Sequence, residues 1–287
     1  MAKVLKAKEI SDRLKKEIAV KIESLKAEGI NVKMATILIE GDPASDFYVQ
    51  AKKAIADKLG IIFELKKFPN HVRETIVLQE LAQLNADPSV HGIMMELPLP
   101  KHLSTEKITE VIDPLKDVDG LTPANKIATV MGTEGIYPAT PLSCISLLQH
   151  YGYPLEGKNV CLVGFGKTVG FPLFHLLIRE RATVTVCHAY TKDLAFHIQN
   201  ADYLFVAVGK AGLITPEMVH PQLVIIDAGI NETEQGEMVG DAAPTVKAKV
   251  AAMSPTPGGV GTLTSTILFQ NLLKAVDLQQ KKGWKAR

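Results

Sequence analysis

Tyr48 and Lys52 stand four residues apart in GDPASDFYVQAKK (41–53), a segment that reads as helix. That spacing puts the phenol and the amine on one helix face. A desolvated amine beside a phenol can move protons. The plainer alternative is an amphipathic helix with a solvated lysine. GIMMELPLP (92–100) reads as an apolar strand ending near Glu96, where parallel α/β folds place ligand-binding groups; a solvated strand end is the alternative. KDVDG (116–120) carries Asp117 and Asp119, by default a turn. With no third ligand nearby, it is not a metal site. SPTPGGVGTLT (254–264) joins two prolines and three glycines to a helix start, where free N–H groups suit an anion or a flat ring, unless it is only a connector. Last, NVCLVGFGKTVGFP (159–172) is an apolar run followed by Gly164, Gly166 and Gly170. A strand, a glycine turn and a helix start can cradle a pyrophosphate, although the G-x-G-x-x-x-G spacing is not the dinucleotide fingerprint.

These residues need a scaffold, and the pattern alternates strand-like and helix-like runs throughout, as in α/β proteins. The expected elements begin with a helix over 7–28, a strand Met34–Glu40 and a helix Pro43–Leu59 with Asp42 as N-cap. A strand Ile61–Lys66, a helix Arg73–Asn85, a strand Gly92–Leu97 and a helix over 104–112 follow. Asp113–Pro138 shows no clean periodicity. Beyond it come a helix Pro141–Tyr151, then strands Asn159–Val163, Thr183–Cys187, Tyr203–Val208 and Leu223–Asp227. Helices Val169–Glu180 and Asp193–Asn200 separate the first three, a doubly wound pattern. Thr264–Leu278 closes the chain as an amphipathic helix, and the polar end reads as a frayed tail. Tyr-x-x-x-Lys is also the pair of short-chain dehydrogenases, but there it follows the glycine turn and here it precedes it.

Composition narrows the class. The 287 residues suit two modest domains, and 46% hydrophobic residues can fill their cores. A net charge of +1 argues against a nucleic-acid partner. Cys144, Cys161 and Cys187 are too scattered for a disulfide framework and suit a reducing compartment. No apolar run reaches membrane-span length. The cytoplasm is the expected location.

Taken in order, these segments, with DPLKDVDGLTPAN (113–125), PATPLS (138–143) and TVTVCH (183–188), resemble the bifunctional methylenetetrahydrofolate dehydrogenase/methenyltetrahydrofolate cyclohydrolase (FolD) family over nearly the whole chain. The resemblance implies two α/β domains with a cleft between them. A folate-binding domain would take 1–138 and the helix 264–287. A Rossmann-like NAD(P)-binding domain would take 139–263. It implies oxidation of 5,10-methylenetetrahydrofolate by NAD(P)+, then hydrolysis of the methenyl product to 10-formyltetrahydrofolate, and a homodimer formed through the second domain. By residue, it implies Lys52 as the catalytic lysine and Tyr48 as the folate-packing tyrosine that touches it. Asp119 is the implied pterin partner, and Pro257, Gly258 and Gly259 form the loop beside the substrate. The cofactor residues would be Gly164, Phe165, Gly166, Lys167, Thr168 and Val169, with His188, Ala189, Tyr190 and Thr191.

The chain departs from that pattern in three places. The family usually carries Gln where Glu96 stands. A carboxylate there favours the ammonium form of Lys52 and so should weaken cyclohydrolase activity, unless Glu96 is protonated or relays the proton itself. Phe165 and Gly166 replace an Arg-Ser pair, and Ala189-Tyr190 interrupts a His-Ser-Lys/Arg-Thr run. Losing those groups favours NAD over NADP, although Lys167 and Lys192 remain. Lys126-Ile127 follows Asn125 where a glycine is usual, which bears on the shape of the loop. A folate-binding paralogue without chemistry, or another two-domain dehydrogenase of the shikimate type, is the rival reading.

Overall fold

The computed structural model describes residues 2–41, 43–233 and 235–283. The expected cap Asp42, and the last four residues of the expected tail, lie outside them. In chain order the elements are β1 (Lys3–Val4), α1 (Lys8–Ala27), β2 (Lys33–Ile39), α2 (Pro43–Leu59), β3 (Ile62–Phe68), α3 (Glu74–Ala86), β4 (Gly92–Met95), α4 (Thr105–Val111), α5 (Pro123–Met131), α6 (Ala139–His150), β5 (Asn159–Val163), α7 (Gly170–Arg179), β6 (Thr183–Cys187), α8 (Leu194–Gln199), β7 (Tyr203–Val206), β8 (Val224–Asp227), β9 (Asn231–Glu232), β10 (Met238–Val239), β11 (Ala252–Met253) and α9 (Val260–Lys281).

The chain divides into two compact units. One takes the residues up to Arg13 together with Thr140–Ile267; the other takes Leu14–Ala139 and the chain from Leu268 on. The second of these is built on a parallel sheet in the order β3-β2-β4. Alternation along β2 sends Met34 to one face and Ala35, Ile37 and Ile39 to the other. Met34 packs with Ile18, Ile22 and Leu25 of α1, Ala56 and Leu59 of α2, and Leu268, Phe269 and Leu272 of α9. The opposite face packs on Val77, Leu81 and Leu84 of α3 and Ile108 of α4. Both faces are covered, which is why β2 and β4 read as nearly continuous apolar runs. Asn271 of α9 donates to the carbonyls of Val118 and Tyr137, and Gln279 to those of His91 and Leu115, so the last helix fastens the loops of this unit.

The other unit holds, among the described residues, a six-stranded sheet in the order β1-β11-β8-β7-β5-β6, with every pair parallel. From β5 the chain moves first to β6 and then back across to β7. The gap between β5 and β7 is therefore the point where strand order reverses.

The amino terminus corrects an expectation. Assigned from sequence to the first domain, it instead adds β1 to the edge of the six-stranded sheet, with Lys3 N on Ala251 O and Leu5 N on Met253 O. A two-residue strand leaves no periodicity to read. A second correction is α5, inside the stretch that showed no pattern. Its signals are local: Thr122 caps the Asn125 N–H, Pro123 opens the helix, and Gly132 ends it in a left-handed conformation.

Candidate active site

Lys52 and Glu96 meet at the carboxyl edge of the three-stranded sheet. α2 leaves the end of β2 and carries Tyr48 and Lys52 on successive turns. Glu96 directly follows β4, and its own N–H still bonds Ile37 O on β2. Lys52 Nζ donates to both Glu96 carboxylate oxygens, at 2.7 and 3.0 Å. The pair is well covered: the lysine side chain is 17% exposed and the glutamate 8%. Tyr48 is half-buried beside it in sequence, with its ring edge-on to Phe47 at 5.9 Å.

KDVDG divides its labour. The Lys116 ammonium is buried and donates to the carbonyls of Leu84, Asn85 and Asp87, closing the end of α3. Asp117 bridges Ile93 in parallel, and its carboxylate accepts from Leu121 N, Thr122 N and Asn125 Nδ2 at 2.8–2.9 Å. Asp117 is therefore spent on the loop. Asp119 lies two residues further, level with the end of β4. It takes no hydrogen bond among the described residues, and it is half-buried. Desolvation pushes its pKa up to about 7; Lys52 opposes this, while Glu96 and Asp117 add to it. A carboxyl group poised near neutrality with open hydrogen-bonding positions is a functional-site signature. The sequence-predicted Tyr48, Lys52, Glu96 and Asp119 thus all belong to one unit.

The glycine turn belongs to the other unit, at the reversal point between β5 and β7. Gly164 has φ +101°, and a Cβ there would lie 2.3 Å from Ala207 O at the end of β7. A Cβ on Gly170 would lie 2.1 Å from Gly164 O. These two glycines pack turn, strand and helix start together, so the odd spacing is explained by packing. Phe165, Gly166, Lys167 and Thr168 are exposed, and Val169 precedes the first turn of α7. Phe165 rests edge-on against Phe171 and Phe174, each 5.7 Å away. At the end of β6, the turn from His188 through Ala189 and Tyr190 to Thr191 closes on itself. His188 N donates to Thr191 Oγ1 and Tyr190 N to His188 Nδ1. The Tyr190 ring is left 90% exposed. The Pro257, Gly258 and Gly259 loop is in the same unit, where Gly258 O accepts from Ala7 N.

Two acids that the sequence reading passed over shape this edge. Asp241 is fully buried and accepts from Val208 N, Gly209 N, Lys210 N and Asn231 Nδ2. Asp227, closing β8, accepts from Gly229 N, Asp241 N and Ala242 N. Burial pushes Asp227 up to about 6, against those three N–H groups. The signal available was an acid at the end of an apolar strand, VIID.

A parallel sheet with a glycine turn at its reversal point defines a dinucleotide-binding unit, and it accompanies a unit carrying a buried lysine–carboxylate cluster. That is the class of two-domain, nicotinamide-dependent enzymes. The particular family follows from comparison. Residues 5–119 match the catalytic domain of tetrahydrofolate dehydrogenase/cyclohydrolase, and residues 138–280 match its NAD(P)-binding domain. The chain is 49% identical over 279 residues to the bifunctional protein FolD of Heliobacterium modesticaldum, covering 97% of each. The crystal structure of the bifunctional FolD enzyme from Campylobacter jejuni superimposes with a TM-score of 0.93 at 37% identity, over 97% of this chain and all of that one. The Trypanosoma brucei FolD structure, complexed with NADP and an inhibitor, gives 0.92 at 28% identity, over 98% and 99% of the two chains. This chain belongs to the tetrahydrofolate dehydrogenase/cyclohydrolase family.

Proposed function

We propose that the chain oxidises 5,10-methylenetetrahydrofolate to 5,10-methenyltetrahydrofolate with a nicotinamide dinucleotide as hydride acceptor, and that it hydrolyses the product only weakly. The observation that carries this reading is the buried Lys52–Glu96 pair beside the unbonded Asp119. Asp119 is free to meet the donor edge of a pterin, and Tyr48 offers a ring face. Hydride transfer asks mainly for orientation of two bound rings. Hydrolysis asks in addition for a group that accepts a proton from water. Both Glu96 oxygens accept from Lys52, so the lysine nitrogen is engaged by the carboxylate. NAD(P)H formation on adding methylenetetrahydrofolate, followed by absorbance, tests the first half. Methenyl hydrolysis as fast as hydride transfer would overturn the second, and Glu96→Gln should raise the hydrolytic rate.

The dinucleotide lies across Gly164–Val169 and His188–Thr191, and NAD is favoured over NADP. What supports this is the aromatic Phe165 on the turn, together with a His188–Thr191 loop whose polar groups bond each other. Turnover with the two cofactors decides it: a strong NADP preference refutes the assignment. The chain works as a homodimer joined through the six-stranded unit, which light scattering on the purified protein tests. The three cysteines are free and buried, which fits a reducing cytoplasm.

A further inference from the structure

We propose that Glu96 is a charge-selecting residue: paired with Lys52 beside Asp119, it makes the folate end of the site favour the cationic methenyl product over the neutral methylene substrate. The argument rests on the folate reading above and then on charge accounting. In the reaction a C–H bond of the methylene bridge breaks, and its hydrogen leaves with both electrons to form a new C–H bond at C4 of the nicotinamide. The bridge carbon is oxidised and the nicotinamide reduced. Positive charge therefore passes from the dinucleotide to the N–C–N bridge of the folate, which becomes an amidinium cation. A lone lysine ammonium at that end would oppose the transfer. Here both oxygens of a carboxylate that is 8% exposed sit on the ammonium at 2.7 and 3.0 Å, and the pair is neutral. Asp119 stands within electrostatic reach of both and is not neutralised by any backbone N–H among the described residues. The three groups together carry no net positive charge, and a negative one once Asp119 ionises. Charge of that sign, fixed where a cation develops and largely withdrawn from water, favours the transition state and the product. It also slows attack of water on the bridge, because hydrolysis discharges the cation that the site holds. Glu96 reaches the reacting carbon through Lys52 and through space, so it is a positioning residue.

The test is equilibrium binding to the purified full chain without dinucleotide, using 5,10-methenyltetrahydrofolate and 5,10-methylenetetrahydrofolate as a cationic and a neutral probe of one frame. Wild type should bind the methenyl form more tightly. Glu96→Gln should lower that preference at least tenfold, with affinity for the methylene form changed less than twofold. Lys52→Met, which leaves Glu96 unpaired, should shift the preference the other way. The opposite signs separate charge selection from damage to the fold. A preference unchanged in both variants, or equal loss of both probes in Glu96→Gln, would overturn the proposal. If wild type binds neither probe, the folate reading itself fails and the proposal falls with it. If both bind but without charge preference, only the proposal falls.

Discussion

Both sheets end in buried acids at their carboxyl edges, and the two edges use them oppositely. In the six-stranded unit Asp241 takes three consecutive backbone N–H groups and the Asn231 amide, while Asp227 takes three more. Those carboxylates are consumed in holding the loops after β7 and β8. In the three-stranded unit Glu96 faces only a lysine among the described residues, and Asp119 faces no donor. Burial raises Asp227 and Asp119 alike, to about 6 and about 7, so the shift alone does not separate scaffold from chemistry. What separates them is the partner. An acid satisfied by backbone amides is fixed in place, whereas an acid left to one side-chain cation, or to none, can still trade a proton or a hydrogen bond with a ligand.

The largest effect should come from breaking the saturated edge. Asp241→Ala strands three backbone N–H groups and an amide, and should cost about 2–4 kcal/mol in denaturant unfolding. A loss below about 1 kcal/mol would mean that the two edges do not differ as described. Next comes Lys52→Met, which should lower kcat for NAD(P)H formation by about a hundredfold or more while leaving the fold intact by circular dichroism. An equally large stability loss would place Lys52 among the scaffold residues.

Legibility from sequence divides along the same line. Lys52, Glu96 and the glycine turn could be read because each sits on a regular element whose period reveals where it points: a helix face, a strand end, a strand-to-helix turn. Asp119 could be singled out by resemblance only, since Asp117 and Asp119 look alike in KDVDG. The difference between them is that the chain folds back so that Leu121, Thr122 and Asn125 donate to one and not to the other. Asp241 escaped notice because its backbone partners lie some 30 residues upstream, and no local pattern records a contact of that range. The fold class was legible from alternation. The edge strand β1 was not, being two residues long and owing its existence to the neighbouring β11.

The third prediction asks whether Asp119 carries the cost of being kept unsatisfied. Its native pKa of about 7 lies above the ordinary 3.8, so between those values the folded protein holds a proton that the unfolded chain has released. Stability from this group is therefore greatest below about pH 4, declines as pH rises, and levels off above about pH 7. Asp119→Asn removes the ionisation. It should match wild type near pH 3.5 and exceed it by about 1–3 kcal/mol at pH 8, with loss of activity at both. Thermal melts across pH check it; a gain that does not grow with pH would show that the carboxyl is not penalised by burial.

The smallest effect concerns the glycine turn. Phe165→Arg with Gly166→Ser restores donors at the positions where the family pattern places them. Gly166 tolerates the change, because a Cβ there meets nothing within 4 Å. Phe165 gives up two edge-on ring contacts, a loss of about 1 kcal/mol that melting will register. Against that, a charge-assisted bond to the 2′-phosphate contributes on the order of 1–3 kcal/mol, which should raise the NADP-to-NAD ratio of kcat/KM about tenfold or more. The competing arrangement is specific: Lys167 and Lys192 lie on the same two loops, and the ammonium of either can meet that phosphate without help from position 165. If the ratio stays where it is, while Lys167→Ala or Lys192→Ala depresses NADP turnover alone, cofactor choice rests with the lysines and the aromatic turn has only a packing role.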